Sequence, residues 1–179
     1  MSRAIPNQPT TPPRQAPIAA ASVHRVGHVV GVYLAEAGGL AMRPVQSAVG
    51  VAGQGLVGDR YKNGTGQWCY DRRLYDDVTL IAAEALDAAG AEHGVHLHAG
   101  AARRNVETRG VDLLPLVGRH FRIGEVMLRG NRACEPCRYL DRVTGQPAKA
   151  ALSGRGGLRA TVIAGGLLGV GDPVLQLSS

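Results

Sequence analysis

Glycine stands at nearly every corner of this chain, and the apolar runs between those corners are too short for helices. There are 25 glycines and 10 prolines in 179 residues. VGHVVGVYLA, PVQSAVGVAGQGLVGDR, RRNVETRGVDL, VGRHFRIG and EVMLRGN read as short strands parted by glycine turns. GRHFRIGEVMLRG reads as a hairpin turning near Gly124, and GLRATVIAGGLLGVGDPVLQL supplies two or three closing strands. Only one segment changes period. Val78 to Ile81 reads as a buried strand, and the Ala, Leu and Glu content from Ala82 to Glu92 predicts a helix that stops at Gly94. About seven or eight strands with one principal helix predict a mainly β fold, a closed antiparallel or mixed β-barrel, because closure removes exposed strand edges. A doubly wound α/β fold is disfavoured, since it needs several strand–helix units.

The length suits a single domain with a sizeable core. Aromatic residues make up only 4%, so Val, Leu, Ile and Ala must fill that core. The Pro-, Gln-, Thr- and Ala-rich start predicts a disordered tail over residues 1–22, with the domain over 23–179. The start lacks the apolar stretch of a signal peptide, and no run approaches the roughly 18 apolar residues of a membrane span. Three cysteines do not make a disulfide framework. A reducing, cytoplasmic setting without a membrane is expected.

The net charge is +6, and Lys62 and Lys149 are the only lysines, so the positive charge is arginine. Guanidinium forks suit phosphate or carboxylate, although a general bias towards arginine codons would give the same count. No continuous basic run interleaves with aromatics, which argues against nucleic acid.

Two cysteines stand three apart in NRACEPCRYLDRVTG. As zinc ligands, Cys134 and Cys137 lack a second half: Cys69 is isolated in the long polar loop YKNGTGQWCYDRRLYDD, and His93, His96 and His98 have no finger spacing. As a redox dithiol they sit late in a strand-rich chain rather than in an early βαβ unit. As a third reading, Pro136 fixes the backbone, Arg132 and Arg138 flank the pair, and CRYLDRVTG forms a short helix or turn packed by Leu140. One thiolate would then be the reagent or a soft ligand for a heavy metal.

The succession GLVGDRYKNGTG, VTLIAAEAL, RRNVETRGVDLLPLVGRHFRIGEVMLRG, CEPCRYL, GRGGLRATVIAGG and VGDPV resembles the MOSC family, named for the C-terminal part of molybdenum-cofactor sulfurase. The resemblance implies a barrel like that of pyruvate kinase, working with a molybdopterin-type molybdenum cofactor. It makes Cys137 the catalytic residue and molybdenum ligand, with Cys134 in support. It places Arg103 and Asn105 on the pterin, with Arg104 as a neighbour able to substitute, and it lines the same pocket with Gly58, Asp59 and Arg60. Arg60 and Arg159 are the next candidates should Arg103 and Asn105 not hold the pterin.

Better-known members carry an extra N-terminal barrel that helps hold the cofactor phosphate. Only some fifty residues precede GDR here, so weaker retention or reliance on a homo-oligomer is expected. No zinc and no iron–sulfur motif is expected, so electrons would come from a separate donor protein. Three functions remain open: reduction of small N-hydroxylated substrates, sulfur transfer from a sulfur donor through a Cys137 persulfide without bound metal, and a binding barrel without chemistry.

Overall fold

Strand β1 (Val23–Leu34), at 12 residues, is the element on which the architecture closes. In the computed structural model, which describes residues 23–66 and 76–177, β1 pairs with β11 (Pro173–Leu177) through Val23–His28. Its other edge pairs with β6 (Val106–Arg109) through His28–Val32, and its last residues pair with β2 (Arg43–Val45). Register shifts between Arg25 and Gly27 and between Val29 and Gly31 accompany the change of neighbours, as bulges do when a strand must bend. The tail expected over 1–22 and Cys69 lie outside the described residues.

From β11 the barrel runs through β7 (His120–Ile123), β8 (Val126–Ala133), β9 (Leu158–Ala164), β5 (Val78–Ala82) and β6 back to β1, a closed barrel of seven strands. The ladder between β5 and β6 is parallel and the other six are antiparallel, so the barrel is mixed. Parallel neighbours require a crossover, and the helix α1 (Ala83–His93) supplies it. The expected helix start and its stop at Gly94 are both present. Gly94 adopts φ 64°, its backbone N–H donates to Gly90 O, and the Val95 N–H donates to Ala89 O. The expected hairpin joins β7 to β8 through Gly124, at φ 55°.

The alternation read from the sequence builds the core. Val29, Val32, Leu80, Val106, Phe121, Ile123, Leu128, Leu158 and Val174 point inward and are fully buried. Each such side chain contributes about 1.5–3 kcal/mol. A second sheet, β10 (Gly166–Gly169), β3 (Ser47–Val51) and β4 (Gly55–Leu56), lays Ala48, Leu56 and Leu168 on the same core.

A separate cluster joins Ile81, Ala85 and Ala89 to Leu140 of α2 (Arg138–Thr144) and to Ala148, Ala151 and Leu152 in and after α3 (Ala148–Ala151). These two short helices lie beside the barrel end where the cysteine loop emerges. Among the described residues no helix is long and apolar enough to cross a membrane.

Candidate functional site

The two cysteines part company at the end of β8. The Cys134 N–H donates to Gly157 O at 2.8 Å, extending the pairing with β9 by one residue and drawing the side chain into the interior. Gly157 has φ 106°, and a Cβ there would strike Leu80 O, so only glycine lets the two backbones approach this closely. Pro136 then ends the pairing, and Cys137 takes an extended backbone, φ −131°, as the residue that begins α2. Cys134 is buried, Cys137 is exposed, and both are free thiols.

Cys137 opens onto a cleft lined by Arg60, Tyr61, Arg103, Arg104, Tyr139 and Arg159. Arg103 has φ 60°, the left-handed region that non-glycine residues rarely enter. Its Nη1 donates to Leu40 O at 2.6 Å, and its guanidinium lies 5.6 Å from the centre of the Tyr139 ring. Burial, and after it the neighbouring Arg60 cation, lowers the Arg103 pKa from its usual value. For Arg159 burial pulls the same way, but Cys134, Tyr61 and Asp76 outweigh it and the pKa rises.

Arg104 is a clamp. Its Nε donates to Gly156 O at 2.9 Å, its Nη1 to Ala102 O at 3.1 Å and its Nη2 to Cys134 O at 3.0 Å. The group touches the cleft, and its hydrogen bonds fix the loop that carries the cysteines. Arg60 also works partly as structure. Its Nη1 meets Met42 Sδ at 2.9 Å and Asp59 Oδ2 at 3.1 Å, and its Nη2 donates to Arg103 O at 3.0 Å.

Three residues expected at the cofactor do not line this cleft. Asn105 is fully buried and accepts at Oδ1 from Thr79 N at 3.2 Å and Thr79 Oγ1 at 2.9 Å, while Nδ2 donates to Tyr33 O at 3.2 Å. Its amide is spent on joining β1, β5 and the approach to β6. Asp59, also fully buried, accepts from Ala35 N and Tyr61 N and pairs with Arg60. Gly58, at φ 81°, turns the chain ahead of them. Conversely, Tyr61 and Tyr139 line the cleft although nothing in the sequence reading gave them a role. The available signal for Tyr139 was its place in the first turn of the helix that Cys137 begins.

Four guanidiniums, two phenols and one carboxylate, Glu135, line the cleft with one exposed thiol, so cations outnumber anions there. A surface so rich in donors takes an anionic ligand, and a thiolate adds a soft ligand for a metal. The donor set therefore fits the metal end of a molybdopterin-type group. The cavity, about 60 Å³, holds a few waters. Among the described residues no three His, Cys, Asp or Glu side chains gather as a metal-binding cluster.

A family model described as the MOSC domain matches residues 73–175. No curated protein matches the chain. Among solved structures, the YuaD protein from Bacillus subtilis superposes with a TM-score of 0.74 at 17% identity, covering 89% of this chain and 100% of that one. YiiM from Escherichia coli gives 0.62 at 21% identity, covering 86% and 70%. YiiM from Geobacillus stearothermophilus gives 0.59 at 16%, covering 87% and 75%. At these identities the likeness concerns the fold.

Proposed function

The chain belongs to the MOSC domain family, and from that premise we propose that it holds a molybdenum cofactor through Cys137 and reduces small N-hydroxylated compounds. The observation that carries this reading is the exposed Cys137 thiol facing a cleft walled by arginines from three separate parts of the chain. When bound, the cofactor would supply two-electron chemistry between a separate donor protein and the substrate. The balance is R–NHOH plus two electrons and two protons, giving R–NH2 and water.

The chain's own residues hold and shape. Cys137 is the sulfur ligand, Arg103 and Arg159 offer positive charge to the anionic end of the ligand, and Arg104 keeps the cysteine loop in place through Cys134 O. Asn105, buried in the barrel wall and outside the cleft lining, would support the site from behind. Cys134 packs.

A second reading draws on the small cavity. About 60 Å³ accommodates one further sulfur atom on Cys137 more readily than a ring system, which suits a persulfide carrier fed by a sulfur donor. Metal analysis after reconstitution with the molybdenum-loaded cofactor separates the two. We expect molybdenum to bind at about one per chain, to be lost in Cys137→Ser and to be kept in part in Cys134→Ser. Turnover of an N-hydroxylated purine with a supplied donor should follow the same order. Serine fails at Cys137 because its hydroxyl is a harder, far less acidic donor. Equal losses in both variants would sink the asymmetric assignment, and a metal-free protein carrying a Cys137 persulfide would favour the carrier.

A further inference from the structure

Tyr139 lies two residues beyond Cys137 and lines the same cleft. Two cations lie near its ring, the Arg103 guanidinium 5.6 Å and the Arg142 guanidinium 5.8 Å from its centre. Its hydroxyl oxygen is buried and has no hydrogen-bond partner among the described residues. A buried polar atom without a partner is rare, because desolvation is then uncompensated. The fold therefore holds this O–H in place without using it. The neighbouring donors are committed elsewhere: Arg104 to three carbonyls, and Arg60 to Asp59, Met42 and the Arg103 carbonyl.

We propose that Tyr139 is the substrate-contacting residue of the Cys137 cleft, its phenol O–H donating a hydrogen bond to the hydroxyl oxygen of the N-hydroxylated substrate. The assignment rests on the reductase reading above. In that reaction the N–O bond takes up two electrons from the donor protein and breaks, and the oxygen leaves as water with protons drawn from solvent. Tyr139 keeps its own proton. Negative charge grows on the departing oxygen, so a donor fixed against it binds the transition state more strongly than the ground state. A neutral phenol on a short rigid side chain, already desolvated, needs little reorganisation to do this.

The test uses Tyr139→Phe, which keeps the ring and both cation contacts and removes only the hydroxyl. Without cofactor, its thermal midpoint should equal or exceed that of the parent, since the lost group had no partner. Tyr139→Leu, which also removes the ring and with it both cation contacts, should lower the midpoint. Loaded with the molybdenum cofactor and given an electron donor and an N-hydroxylated purine, Tyr139→Phe should keep its molybdenum and lose about 10- to 100-fold in kcat/KM. A lower midpoint in Tyr139→Phe would mean that the hydroxyl is structural, and would overturn the proposal whatever the reaction is. Unchanged kcat/KM against an active parent would overturn it while leaving the reductase reading intact. A parent that carries molybdenum yet turns nothing over would remove the reductase reading, and this assignment with it.

Discussion

Arg103 combines two costs that are avoidable in an ordinary surface residue: a left-handed backbone and a buried cation beside Arg60. A left-handed non-glycine residue costs about 1–2 kcal/mol, and what the chain obtains is a guanidinium facing Cys137. The two contributions can be separated by substitution. Arg103→Ala keeps the backbone strain and loses the bond to Leu40 O, so it should be less stable than the parent by about 1–2 kcal/mol. Arg103→Gly relieves the strain and should be the more stable of the two variants. Both should lose molybdenum retention alike. Denaturant midpoints with metal content decide the matter, and a glycine variant less stable than the alanine one would refute the account of strain. The sequence made the unequal cysteines and the arginine cluster legible, because residue type and spacing carry their chemistry. It did not disclose that Arg104 bonds to three carbonyls, since those acceptors lie on distant loops that only the fold brings together.

Strands β1, β5 and β6 meet at Asn105, which makes that residue a matter of elements more than of cofactor. Its backbone N–H donates to Thr79 O at 2.8 Å and its carbonyl accepts from Tyr33 N at 2.7 Å, beside the three side-chain bonds already described. Asn105→Ala would leave Thr79 N–H and Oγ1 and Tyr33 O short of partners in the interior. It should cost about 2–4 kcal/mol of stability with turnover per folded molecule largely kept. Denaturation and activity on the same sample check this, and a stable variant with lost cofactor would return Asn105 to the ligand. Sequence periodicity located the crossover helix, the β7–β8 hairpin and most strands, because apolar alternation and glycine turns are local signals. It could not say which side of a strand end a polar residue faces, for one step along a strand reverses that direction. The parallel pairing of β5 with β6 was also hidden, because it depends on where α1 returns the chain and not on the residues of either strand.

For the whole molecule, closure joins segments from opposite ends of the described chain: Val23 stands opposite Leu177 and His28 opposite Pro173. Such distant pairing makes folding slow, with the ordering cost met before the last ladder forms. The cleft depends on the same closure. Arg159 comes from β9, Cys137 follows β8, and Arg103 and Arg104 lead into β6, so relative movement of these strands would disperse the cations around the thiol. Removing residues 173–179 tests how far the site is a property of the barrel. The truncation deletes the fully buried Val174 and frees the edges of β1 and β7 that β11 had covered. Open apolar edges recruit other chains, so the shortened protein should lose its cooperative thermal transition and aggregate, and should retain no molybdenum after reconstitution. β11 itself supplies no residue to the cleft. A truncated chain that still melts cooperatively and still holds the metal would show that the helices α1, α2 and α3 and the neighbouring strands suffice to build the site, and that closure serves only to protect the edges.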